Sequence, residues 1–194
     1  MINLVVNADL SWLWGSIIGF VATIGGTLIG WFLSKPKNKK LVIDICSIAN
    51  PIEYRCGVDY YGGDLADGEL NYLLFYINLR IYNPSDKVKI INNLKVVFYG
   101  ENDIKLFETK LDDLSTGRNS GSFTFYDNAN ALNFTPGFVE ICKFRYFVNN
   151  NELKLAKSVI KNFLEYYNEK NKLVKIPLPL FDFSTIDLIK SKSK

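Results

Sequence analysis

LLFYINLRIYNPSDKVKIINNLKVVFYG, Leu73 to Gly100, is the stretch whose pattern decides the fold. Leu73, Phe75, Ile77, Leu79 and Ile81 recur at every second position, with Asn78 and Arg80 between them. Strand side chains alternate between two faces, so this pattern predicts a strand with one buried face. Asn83-Pro84-Ser85-Asp86 reads as a turn, because Pro presets φ and Asn and Ser bond local backbone. Val88 to Ile91 and Leu94 to Tyr99 then give one or two further strands, with Leu94, Val96 and Phe98 pointing one way. Phe75, Ile77, Leu79, Val96 and Phe98 are the expected core, together with Phe144 further on.

Outward from this hairpin the same grammar repeats. LVIDI, Leu41 to Ile45, reads as a first strand, and Ile52 to Asn71 as a long loop rich in Gly, Tyr and Asp. Gly100 to Asp103 is a turn, Ile104 to Leu111 a strand and SFTFY around Phe123 and Phe125 a short one. After Thr135-Pro136-Gly137, Cys142, Phe144, Tyr146 and Val148 alternate with Lys143 and Arg145. Short strands with turns at this spacing predict an antiparallel β-sandwich. Beyond Asn149-Asn150-Asn151, Leu153 and Leu155 suit a hairpin strand, whereas Ala156, Ile160, Phe163, Leu164 and Tyr167 suit an amphipathic helix. A C-terminal helix over roughly Ser158 to Lys170, or starting earlier, is the favoured expectation, with helix against hairpin left open across 152–170. KIPLPLFDF, with Pro177 and Pro179, is extended, as an edge strand or a docked tail.

The stretch Ile77 to Gly100, a hydrophobic strand running into an Asn-Pro turn and a second strand, resembles membrane-tethered late-embryogenesis-abundant type-two (WHy-like) domains. That resemblance implies an immunoglobulin-like sandwich and no catalytic residues. The expected organisation is a short extracytoplasmic N-terminus (1–9), a transmembrane helix (10–34) and a basic linker (35–40). A mainly β soluble domain with one C-terminal helix follows (41–183), then a flexible basic tail (184–194).

The membrane expectation rests on Leu10 to Ser34, which holds no charged residue and lies between Asp9 and Lys35. About 20 apolar residues cross ~30 Å of hydrocarbon. Trp12 and Trp14 at one end and Trp31 at the other are placed as interfacial anchors, joined by Lys35, Lys37, Lys39 and Lys40. Lysines on that side alone put the N-terminus outside and residues 35–194 in the cytoplasm. Gly15, Gly19, Ala22, Thr23, Gly26 and Gly30 fall on one helical stripe, as a self-associating membrane helix requires for close backbone approach.

Among 194 residues there is no histidine, which removes the usual general base of Ser and Cys hydrolases and most zinc sites. GxxxxGK[ST], GxGxxG, GxSxG and HExxH are missing. Cys46, Cys56 and Cys142, an odd set without CxxC spacing, read as reduced core cysteines. Asp59, Asp64, Asp67 and Glu69 lie on the Gly-rich loop without EF-hand spacing and read as solvated, so no metal or other cofactor is expected. Tyr54, Arg55, Tyr60, Tyr61, Asp64 and Asp67 mark that region as a candidate loop for a ligand or partner, since aromatic and Arg groups dominate binding hot spots. A net charge of +3, held largely in two lysine clusters, favours a lipid surface over nucleic acid. The expected function is a membrane-anchored, non-enzymatic sensor or effector of the kind small bacterial defence or stress systems use, self-associating through its helix. The partners expected are the bilayer, a second copy, and a protein or small ligand. The alternative is a passive anchor or scaffold that presents an interaction domain.

Overall fold

The computed structural model describes residues 20–28, 30–31, 39–55 and 69–186. The chain divides into two units, 1–37 and 38–194. In the first, the described residues are helical. Thr27 Oγ1 donates to the Thr23 carbonyl one turn back at 2.7 Å, which satisfies the hydroxyl within its own helix. A side chain added at Gly26 or Gly30 would meet nothing within 4 Å. Among the described residues no helix is long and apolar enough to cross a membrane. Much of Leu10 to Ser34, with Trp12, Trp14, Gly15, Gly19, Lys35 and Lys37, lies outside them.

The second unit is a sandwich of two antiparallel sheets. In one, β1 (Val42–Ile48), β3 (Leu70–Tyr82), β9 (Val139–Asn149), β6 (Asp112–Ser120) and β7 (Phe123–Asn128) lie in that order. β2 (Ile52–Arg55) continues beyond β1 along the same edge of β3. The other has the order β11 (Leu173–Leu178), β10 (Lys161–Tyr167), β4 (Lys89–Tyr99) and β5 (Lys105–Lys110). β8 (Ala131–Phe134) pairs with the first part of β4. Phe75, Ile77, Leu79, Val96, Phe98 and Phe144 all enter one buried cluster, as their spacing predicts. Phe75 stacks on Tyr146 across β3 and β9 (4.8 Å), and Phe98 stacks on Phe107 across β4 and β5 (4.4 Å).

β4 is one strand rather than two. Asn93 takes a left-handed φ of 52°, which Asn tolerates better than most residues. Its N–H and that of Leu94 turn to the carbonyls of Asn130 and Ala129. The expected turn after β3 is built around the buried Asn83. Its amide donates to the carbonyls of Lys87 and Phe134, both at 2.8 Å, and its oxygen accepts from the N–H and hydroxyl of Ser85.

The C-terminal third corrects the expectation. The helix over Ser158 to Lys170 does not form: residues 161–167 are β10, a central strand between β4 and β11. Asn162, Leu164 and Tyr166 face the interior, while Ile160, needed on the helix's apolar stripe, is 54% exposed. The helix lies earlier, at Asn150–Ala156, where the sequence leaves helix and hairpin strand both open. There Asn149 accepts from the Glu152 N–H and the Glu152 carboxylate accepts from the Asn149 N–H, a reciprocal cap that starts a helix. The folded domain also reaches past 183. Phe183, the first residue of a 3-10 turn, and Ile186, just after it, are buried, and Phe183 meets Phe75 and Phe98 edge-on. Cys46 is exposed on β1 and so is not a core cysteine, while Cys142 is half-buried.

Candidate functional site

At one end of the sandwich a cleft of about 600 Å³ opens between the β1 edge of one sheet and the β11 edge of the other. Leu41 and Ile43 line it from the β1 side, and Leu173, Val174 and Ile176 from β11. Tyr166 of β10 closes its floor. Lys39, Lys40, Lys89, Lys170 and Lys172 surround these apolar walls, opposed by the carboxylate of Glu169.

The β10–β11 turn sets the rim. Asn168 accepts from the N–H groups of Lys170 and Lys172, both at 3.0 Å. Its own N–H bonds the Lys172 carbonyl, and Asn171 adopts a φ of 54°. This locked turn projects Lys170, Lys172 and Glu169 from a fixed base. Lys89, at the start of β4, is the buried cation: its side chain is 6% exposed and its Nζ donates to Glu169 Oε1 at 2.6 Å. Burial works against charge on Glu169, but the hydrogen bond and field of Lys89 outweigh it and hold the carboxyl below its ordinary range. Burial, seconded by the Glu169 charge, pushes the Tyr166 phenol up, so it stays a neutral hydroxyl. The cleft can therefore hold an apolar body and neutralise an anionic group at the same place.

The residues singled out from sequence distribute differently. Lys39 and Lys40, read as interfacial anchors, line this cleft. Tyr54 and Arg55 lie on β2, away from it. Tyr54 stacks on Tyr72 at 4.6 Å, and Tyr72 meets Phe147 edge-on at 5.3 Å. Arg145 extends this aromatic row, lying between Phe147 and Tyr126 and bonded to Asp112 at 3.1 Å. Arg55 pairs with Glu53 at 2.9 Å. Tyr60, Tyr61, Asp64 and Asp67 lie outside the described residues, and among those described no cluster could hold a metal ion. Lys89, Tyr166, Glu169, Lys170 and Lys172 carried no sequence signal, because only the sheet pairing brings them to Lys40. A second hollow of about 250 Å³, between β6, β8 and β9, holds Cys142 with Glu140 and Asp113. Burial and these two carboxylates push its thiol up to about 12, which makes it a poor nucleophile.

Residues 53–178, most of the chain, match the YopI Ig-like domain family. The chain belongs to that family. The YopI Ig-like domain runs here from β2 to the end of β11, so it holds Lys89, Tyr166, Glu169, Lys170 and Lys172. The segment just before it adds Lys39, Lys40, Leu41 and Ile43 to the cleft. A protein from Archaeoglobus fulgidus of known crystal structure is 11% identical, with 70% of this chain and 91% of that one covered and a TM-score of 0.36. A Bordetella pertussis protein described as ApaA is 9% identical, with 73% and 90% covered and a TM-score of 0.30. Comparison with curated proteins yields no match.

Proposed function

We propose that this chain is a membrane-anchored, non-enzymatic sensor or effector. Its Ig-like domain binds a ligand through the lysine-rimmed cleft, and its N-terminal helix self-associates in the bilayer. The observation that carries the reading is the cleft itself, where five lysines face one carboxylate around apolar walls. Ligand sites of small molecules are typically about 300–1,000 Å³, mostly apolar, with a few placed polar groups. The uncharged run Leu10 to Ser34 supports the anchor, and the lysines that follow it support a cytoplasmic domain. The open space at Gly26 and Gly30, on the same stripe as Ala22 and Thr23, supports association with a second helix. The second reading, a passive scaffold for a protein partner, is favoured by Phe123 and Phe138, each 71% exposed, and Ile141, 63% exposed.

Cysteine crosslinking and labelling in membranes test the proposal. A Cys at Asn3 should react with an impermeant reagent on intact cells, and one at Lys192 should not. Gly26→Ile should cut crosslinked dimer several-fold while Leu28→Ile leaves it unchanged. A chain that fractionates with the soluble proteins would sink the anchor, and an association indifferent to Gly26→Ile would sink the helix assignment.

A further inference from the structure

The cleft is specific enough in chemistry to name its ligand class. We propose that it takes an anionic amphiphile with one acyl chain, the carboxylate or phosphate head on Lys89 and the rim lysines and the chain on Leu41, Ile43, Val174 and Ile176. This rests on the reading of the cleft as the binding site and deepens it.

Two properties of the site select this class together. Ile43, Val174 and Ile176 are half-buried side chains that remain open to the cleft between the sheet edges. A free phosphate would leave them wet, whereas a hydrocarbon chain removes them from water. Five lysines against Glu169 leave an excess of positive charge that an uncharged lipid would not neutralise. Lys89 explains how the head enters. Its ammonium is buried and needs a counter-charge, and Glu169 supplies it from an exposed turn. An incoming carboxylate or phosphate takes the place of Glu169, whose side chain swings to solvent, so Lys89 is neutralised before and after. Charge-assisted hydrogen bonds to an anionic head are the strong kind. Lys39, Lys40, Lys170 and Lys172 attract the anion to the mouth. The neutral Tyr166 hydroxyl adds a donor at the floor.

The test is photo-crosslinking of the full chain in neutral phosphatidylcholine nanodiscs with a diazirine-bearing long-chain fatty acid, and mapping of the labelled peptides. Label should fall on β1 and β11. Oleate and oleoyl lysophosphatidate should protect; oleyl alcohol and inorganic phosphate should not. Lys170→Glu with Lys172→Glu, in an exposed turn, should cut cleft labelling at least tenfold, as should Lys89→Met. The turn variant keeps the test decisive where Lys89→Met disturbs folding. Equal protection by oleyl alcohol would overturn the anionic head, and protection by phosphate alone would overturn the acyl chain. An unlabelled cleft whose turn variant still alters helix crosslinking would overturn the amphiphile and keep the cleft as the site of another ligand. An unlabelled cleft with unaltered crosslinking would overturn both.

Discussion

Replacing Phe75 by Ala probes the packing that holds the two sheets together. Phe75 is 1% exposed, lies flat on Tyr146 at 4.8 Å and 2°, and meets Phe181 and Phe183 edge-on at 5.5 and 6.2 Å. Truncation loses the transfer free energy of the ring and leaves a cavity, together about 3–5 kcal/mol. The upper part of that range applies, because Phe75 already borders a hollow of about 150 Å³ shared with Phe98, Tyr146 and Phe183. Neighbours that do not fill this hollow in the wild type have little reason to collapse into a larger one. Single domains hold about 5–15 kcal/mol in all, so this loss is about a quarter of the total or more. Urea unfolding of the full chain followed by far-UV circular dichroism gives the difference, with the denaturant slope expected unchanged. Phe123→Ala on the exposed β7 (71%) should stay within about 0.5 kcal/mol of wild type. Equal effects of the two substitutions, or a Phe75 cost under about 1 kcal/mol, would refute the inward register of β3.

Asn83→Ala removes both donors to the Lys87 and Phe134 carbonyls and should cost about 2–3 kcal/mol by thermal melting. Asn83→Asp should do no better, since a carboxylate only accepts and would face those two carbonyls. With Cys56 replaced by Ser, maleimide at pH 7.5 should label exposed Cys46 and spare Cys142, whose thiol is held up to about 12. Rapid labelling of both would contradict the burial assigned to β9. Hydrogen bonds from Lys105 and then Lys95 hold the Glu108 carboxyl below its ordinary range against the cost of burial. A depressed carboxyl stabilises the fold above its unfolded pKa and loses that stabilisation as pH falls through its folded one. Glu108→Gln should therefore cost under about 1 kcal/mol at pH 7, given its partial exposure, and the gap should close in an acid titration below about pH 4. A gap that persists there would mean the pair is not the source.

What was legible from sequence was what repeats at period two over an apolar face. β3, β4 and β9 each carry that signal, and their register follows from it. β6 does not: DDLSTGRNS has no apolar alternation, because beyond the pairing of its Asp112 and Asp113 with Arg145 and Phe144 it leaves β9 for a hairpin with β7. The strand β10 was hidden by coincidence of spacing. Ile160, Phe163, Leu164 and Tyr167 fit a helical stripe, yet Asn162, Leu164, Glu165 and Tyr166 are the buried ones. Glu165 is covered on the outer face, where it accepts from Tyr99 and pairs with Lys175 at 2.8 Å. The Asn149–Glu152 cap was a local signal for the short helix and is plain in the sequence once sought. The cleft was not legible, since Lys40, Lys89 and Lys170 meet only through pairing of strands distant in sequence. Lys39 and Lys40 were legible as positive charge but not as part of a pocket.

The measurement closest to the central claim is helix crosslinking in nanodiscs as a function of added oleoyl lysophosphatidate. A ligand shifts an association equilibrium only by its differential affinity for the two states, so a sensor must show the coupling directly. The crosslinked fraction of the wild-type chain should change with a saturable dependence on the amphiphile, and the Lys170→Glu, Lys172→Glu chain should not respond. A wild-type fraction that stays constant while the cleft is demonstrably occupied would contradict the sensor.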